Sequence, residues 1–129
     1  MRFLLDTHTF IWYVTDDNTK LSSTALEVIN DGNNKVLLSI ASIWEMAIKH
    51  SIGKLNFKSS FELFIPRQLA VNSFEVLDVR IEHLNIVANL PLHHRDPFDR
   101  LIIAQAKVEQ IPIVGTDKAF DSYLVQRLW

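Results

Sequence analysis

The chain contains no cysteine, only three glycines and four prolines in 129 residues. Without cysteine there can be no disulfide, no thiolate zinc site and no thiol nucleophile, a composition that suits a reducing cytoplasm. So few glycines and prolines leave little room for linkers, and no internal repeat or low-complexity tract interrupts the sequence. No window approaches roughly 18 uncharged apolar residues, which predicts no membrane-spanning helix, and the start runs into Phe3-Leu4-Leu5-Asp6 with no leader expected. An excess of positive charge is also missing: 13 Lys and Arg stand against 15 Asp and Glu, a net charge of −2. That excludes the global basic field of a non-specific nucleic-acid binder, so any such contact must be local. Lys49, His50, Lys54, Lys58, Arg95 and Arg100 are the candidate cations, and the same scatter fits a solvated surface.

What remains is an ordinary globular composition, 48% apolar and 22% charged. A chain of this length is expected to form a single domain over residues 1–129 and to bury about two-thirds of its unfolded surface. Arg2 to Leu5 reads as a buried strand ending at Asp6, followed by a helix through Val14. A polar turn at Asp16–Lys20 leads to an amphipathic helix, Leu21–Asn30, started by Ser22 or Ser23. Lys35–Ile40 is a second strand. Ala41–Ile52 reads as a helix ended by Gly53, with Ala41, Trp44, Ile48 and Ile52 at helical spacing. Another helix runs from Ser59-Ser60 to Ala70 with a break or kink expected at Pro66. Phe74–Val79 is a third strand, Ile81–Leu90 a helix closed by Pro91, and Ile111–Val114 a fourth strand. Thr116–Phe120 reads as a turn or short helix, and Leu124–Trp129 as a final edge strand. Strands alternating with helices predict an α/β fold, three-layer α/β/α with a mostly parallel central sheet. Trp12, Trp44 and Phe61 are assigned to the core, with a groove or dimer face as the alternative for some of them, and His93-His94 to an exposed loop.

The segment His94-Arg95-Asp96-Pro97-Phe98-Asp99-Arg100 opens one more helix, running to about Glu109, because proline is pre-set for a first helical position. Asp96 is a good N-cap there, and Asp99 complements the positive end of the helix dipole. Yet Ile103 lies seven residues after Asp96, and Ile102, Ile103 and Ala106 lie three, four and seven after Asp99. Both carboxylates therefore fall on or beside the apolar stripe.

In a parallel sheet the helix after a strand, and the helix antiparallel to the next strand, both start at the carboxyl edge. Asp6, Glu45, Asp96, Asp99 and Asp117 are thus brought to one edge, where open α/β sheets place their ligands. Each has an ordinary alternative: Asp6 could cap the helix at Thr7, Glu45 could pair with Lys49 four residues on, and Asp117 could cap the turn before Phe120. Two unit charges 4 Å apart repel by about 4 kcal/mol at an effective dielectric near 20, whereas a helix dipole returns about 0.3–1 kcal/mol. Converging carboxylates must therefore partly protonate or hold a divalent cation. Oxygen-only ligands with no cysteine and no clustered histidine point to Mg²⁺, or Mn²⁺, which suits phosphoryl substrates.

Leu4-Leu5-Asp6-Thr7-His8, Ser39-x-x-Ser42-x-x-Glu45, Asp96-Pro97-Phe98-Asp99-Arg100-Leu101-Ile102-Ile103-Ala104 and Thr116-Asp117-x-x-Phe120 resemble the four acidic motifs of the PIN domain. The likeness is nearest to the VapC-type toxins of toxin–antitoxin pairs and extends from Arg2 to Trp129. It implies a Mg²⁺-dependent endoribonuclease with Asp6, Glu45, Asp99 and Asp117 as catalytic and metal-binding residues and Asp96 as a fifth acid. It further implies supporting roles for Thr7 and Thr116, a homodimer, and a small antitoxin partner covering the pocket. One departure is Gly115-Thr116-Asp117, where the family often carries its threonine one residue earlier. The resemblance also places the strand ending at Asp78 at the sheet's edge, which removes that acid from the set. The competing reading is a catalytically inactive PIN-like module that binds RNA or protein. A phosphatase of the haloacid dehalogenase type would need a second aspartate where His8 stands.

Overall fold

A computed structural model describes the backbone of residues 1–129 and all of their side chains except that of Asn18. The chain runs β1 (Arg2–Leu5), α1 (Thr7–Val14), a 3-10 turn (Asn18–Lys20), α2 (Ser23–Asn30), β2 (Lys35–Ser39), α3 (Ile40–Ser51) and α4 (Phe61–Val71). It continues through β3 (Glu75–Leu77), α5 (Ile81–Asn89), α6 (Pro97–Glu109), β4 (Ile113–Val114), a 3-10 segment (Lys118–Tyr123) and β5 (Arg127–Leu128). The five strands form one sheet in the order β3-β2-β1-β4-β5, and every pairing is parallel. β1 is central, with Leu5 opposite both Leu38 and Val114. β3 lies at the edge, as the family resemblance implies.

The apolar runs explain the three layers. Side chains alternate across a strand, so a continuously apolar central strand must be covered on both faces. Phe3, Leu5, Val36, Leu38 and Val114 meet one core together with Phe10 of α1, Ala25 and Ile29 of α2, Met46 of α3 and Ile65 of α4. Leu4, Leu37, Leu77 and Ile113 meet the other, with Ile102, Ile103 and Ala106 of α6, Leu90, Phe120 and Tyr123. Among the described residues no helix is long and apolar enough to cross a membrane.

Side-chain caps set several helix starts. The Ser22 hydroxyl accepts from the Ala25 amide at 3.0 Å, and the Ser39 hydroxyl from the Ala41 amide at 3.0 Å. α4 runs unbroken through Pro66, whose ring is exposed; the missing N–H forfeits one bond, to the Glu62 carbonyl, without ending the helix. Three strands are shorter than the apolar runs predict: β3, β4 and β5 pair only over Glu75–Leu77, Ile113–Val114 and Arg127–Leu128. Proline at 112 has no N–H for a ladder, although its carbonyl accepts from the Leu4 amide.

α3 is rotated from the expected orientation. Its buried residues are Ala41, Ser42, Glu45 and Met46, whereas Trp44 is 60% exposed and Ile40, Ile48 and Ile52 are exposed with it. Trp44 is not a core residue; its ring packs edge-on against Phe98 with centroids 5.1 Å apart. Trp12 and Phe61 are half-buried rather than fully enclosed. The rotation turns Glu45 inward at the expense of the apolar stripe.

Candidate active site

The strand order reverses between β1 and β4, and a crevice at the carboxyl ends of such strands is where open parallel sheets hold ligands. Asp6 is the first residue after β1. Asp117 follows β4 by three residues, Asp99 lies in the first turn of α6, and Glu45 in the second turn of α3. Asp6 and Glu45 are buried, Asp99 half-buried, and Asp117 the most open of the four.

Asp6 occupies the N-cap position of α1, yet its side chain makes no capping hydrogen bond. Burial pushes its pKa up to about 7; the Thr7 amide pulls it back without regular cap geometry, and the charges of Glu45 and Asp117 add to the rise. Asp99 is likewise raised to about 7, by burial first and then by Asp6 and Asp96, with His94 opposing and Glu45 adding. The two shifts report the same fact. These carboxylates lie within each other's fields in a poorly solvated crevice.

Glu45 combines two roles. Its Oε2 lies 3.0 Å from Lys49 Nζ, the ion pair that the i,i+4 spacing allows. Its Oε1 is buried and has no hydrogen-bond partner. An unpaired carboxylate oxygen out of water is costly, and a cation is the usual remedy.

Asp96 and Asp117 also serve as caps. Asp96 Oδ1 accepts from the Phe98 and Asp99 amides at 2.9 and 3.1 Å. Asp117 Oδ1 accepts from the Ala119 amide at 2.9 Å, leaving Oδ2 to face His94 Nε2 at 3.4 Å. His94 Nε2 also lies 3.2 Å from Asp99 Oδ2, so His94, Asp99 and Asp117 form one compact group of possible metal ligands. His93 is exposed as expected, but His94 belongs to the site.

Three further supports were not evident from residue spacing alone. A β-carbon placed on Gly115 would stand 2.9 Å from Asp6 Cβ and 3.3 Å from Phe120 Cε2, so only glycine lets β4 approach Asp6 this closely. A lone glycine directly after a strand was the available signal. The Thr7 hydroxyl donates to the Ser42 hydroxyl at 2.8 Å, tying the starts of α1 and α3 together behind the acids. Thr116 is exposed, and its side chain makes no hydrogen bond among the described residues. Arg100, one of the candidate surface cations, turns its guanidinium inward instead. It donates to the carbonyls of Pro91, Leu90 and His94 at 2.9, 3.1 and 3.3 Å, and more distantly to Val87 and the Tyr123 hydroxyl.

A second acidic grouping, Glu82, His83 and Glu109, lies on α5 and α6. There the buried His83 accepts the Arg80 amide on Nδ1 and meets Glu109 through Nε2, while Arg80 pairs with both glutamates. Its polar atoms already have partners, so it reads as a staple between two helices.

The family model for the PIN domain matches residues 3–123. The chain belongs to the PIN-domain family. Solved structures with a similar fold include VapBC2 from Rickettsia felis bound to a DNA fragment from their promoter, at TM-score 0.72 and 14% identity, covering 98% of this chain and 97% of that one. DNA-bound VapBC from Salmonella typhimurium matches at TM-score 0.65 and 20% identity over 98% and 96%. FitAcB from Neisseria gonorrhoeae matches at TM-score 0.62 and 17% identity over 97% and 95%. A comparison with curated protein sequences gives no match. PIN domains are in general nucleases that depend on a divalent metal. The orphaned Glu45 oxygen, the raised Asp6 and Asp99 and the all-oxygen acids of this PIN domain fit such an ion.

Proposed function

We propose that this PIN domain is a metal-dependent endoribonuclease that hydrolyses RNA phosphodiester bonds, and that it is the toxin of a toxin–antitoxin pair. The observation that carries the reading is Glu45 Oε1, a buried acceptor with no partner beside two carboxyls held near pKa 7. Asp6, Glu45, Asp99 and Asp117 would hold Mg²⁺, with Mn²⁺ as substitute. When bound, that cation neutralises charge on the phosphate and lowers the pKa of an attacking water.

The chain's own residues supply position and polarity. Asp6 packs against the Gly115 backbone, and the first turn of α6 places Asp99 at the same edge of the sheet. Glu45, with one oxygen on Lys49, keeps the other to hold a cation or to orient the attacking water. Asp96 spends Oδ1 on two amides and acts as the cap that aims Asp99, not as a main ligand. No side-chain nucleophile is required, and the buried Ser42 hydroxyl is already engaged with Thr7.

The likeness to toxin–antitoxin complexes supports an antitoxin partner. So do the exposed Ile40, Trp44, Ile48 and Ile52 of α3 and its C-cap, the helix that carries Glu45, because exposed apolar surface marks protein interfaces. A homodimer and a cytoplasmic location complete the reading, the latter suited by an RNA substrate and the absence of cysteine.

The test is cleavage of structured RNA by the purified chain across Mg²⁺ and Mn²⁺ titrations, with Asp6→Asn alongside. Cleavage that chelation abolishes and Asp6→Asn lacks is expected. Undiminished cleavage by that variant would contradict the assignment, and RNA binding without cleavage by the wild type would favour the inactive module.

A further inference from the structure

His94 is held at both ring nitrogens. Nδ1 accepts the Asp96 amide N–H at 3.1 Å, so in the neutral ring the hydrogen sits on Nε2. That Nε2 is the atom facing the acids, 3.4 Å from Asp117 Oδ2 and 3.2 Å from Asp99 Oδ2. The two aspartates come from different parts of the fold: Asp99 from the first turn of α6, Asp117 from the segment after β4. Asp117 has a side chain 45% exposed, and its Oδ1 is held by the Ala119 amide, which leaves Oδ2 for His94 to orient. The loop that carries His94 is itself fixed, since Arg100 donates to the carbonyls of Leu90, Pro91 and His94.

The polarity of this arrangement separates two roles. A histidine that ligates a metal offers the ion a bare nitrogen and donates its other N–H to a carboxylate, carbonyl or water. His94 is connected the opposite way. Its bare nitrogen is taken by a backbone amide, and its proton-bearing nitrogen points at the acids.

We infer that His94 is a positioning residue of the metal centre and not one of its ligands: its Nε2–H donates to Asp117 Oδ2 and holds that carboxylate beside Asp99 Oδ2, so that both present oxygens to the same cation, while Arg100 holds the loop in place. The inference rests on the metal-centred reading above and assigns a residue outside the four acids.

The test is titration of Mn²⁺ into the metal-free full-length chain for the wild type, His94→Gln and His94→Ala, with affinity read by calorimetry. Pulsed paramagnetic resonance on the Mn²⁺-loaded wild type reads whether a nitrogen is directly bound. The wild type is expected to bind Mn²⁺ without a directly coordinated nitrogen. His94→Ala is expected to weaken binding by about ten- to a hundredfold. His94→Gln, whose amide N–H can reach the place of Nε2–H, should recover most of that loss. An imidazole nitrogen coupling in the wild type would overturn the inference whether or not the variants fold. Equal affinity in the wild type and both variants would overturn it alone. A wild-type chain that takes up no Mn²⁺ would overturn the metal-centred reading and the inference with it.

Discussion

Gly115 and Asp6 are packed so closely that a β-carbon on the glycine would lie 2.9 Å from Asp6 Cβ, inside any real contact distance. The carboxylate that ends β1 is therefore held by the backbone leaving β4, the two strands between which the sheet changes direction. Gly115→Ala must displace one or the other. Overpacking of this kind costs about 1–3 kcal/mol, and the same shift moves Asp6 within its site. Lower thermal stability together with weaker Mn²⁺ binding is expected. A variant with wild-type melting and metal affinity would show that the close approach has no consequence.

Asp6→Asn separates stability from function. It removes a carboxyl whose ionisation burial opposes, while keeping its size and shape. In the absence of metal near neutral pH the variant should be more stable than the wild type by about 1–3 kcal/mol, or roughly 3–8 °C in Tm. It should also lose RNA cleavage. Denaturation of chelated samples measures the first effect, and an unchanged or lower Tm would contradict the burial argument.

The pH dependence of the metal-free chain has a definite sign. Burial raises Asp6 and Asp99 to about 7 in the fold against an ordinary value of 3.8, so between those values the folded state holds protons that the unfolded state has released. Stability must therefore fall as pH rises from about 4 to about 7, and level off above that. Mg²⁺ should reverse the loss at the alkaline end, because binding to the folded state alone stabilises it. Thermal melts from about pH 5 to 8 with and without Mg²⁺ test this; a metal-free Tm that rises across the interval would refute it.

Asp96 distinguishes a cap from a ligand. Its Oδ1 accepts two amides at the start of α6, which an asparagine carbonyl can do equally well. Asp96→Ala should cost about 1 kcal/mol. Asp96→Asn should keep the wild-type melt and retain cleavage to within about tenfold, whereas Asp99→Asn should not. Equal loss of cleavage in Asp96→Asn and Asp99→Asn would make Asp96 a ligand.

Arg100→Ala should destabilise the chain by about 2–4 kcal/mol. The guanidinium satisfies several carbonyls between Val87 and His94, which the variant leaves without donors. The loop carrying His94 should loosen first, visible as faster amide exchange over residues 90–96. Exchange there as slow as in the wild type would show that Arg100 does not hold the loop.

Much of this molecule is written locally in its chain. Apolar runs such as Phe3-Leu4-Leu5 and Val36-Leu37-Leu38 demand cover on both faces and so announce a parallel sheet, and Ser22 and Asp96-Pro97 mark helix starts within a turn of the residues they cap. Spacing alone also places Asp6, Glu45, Asp99 and Asp117 at one sheet edge. What depends on partners distant in sequence was settled only by folding. The face that α3 turns inward carries Met46 in the core together with Ala41, Ser42 and Glu45, and this leaves Trp44, Ile48 and Ile52 outward against their periodicity. The direction of the His94 ring depends on Arg100, Asp96 and Asp117, and the indispensability of Gly115 on a side chain 109 positions away. Periodicity and capping are interactions within a few residues, and so they are legible in one dimension. The contact that aims a side chain into a shared site belongs to neither strand until both are packed.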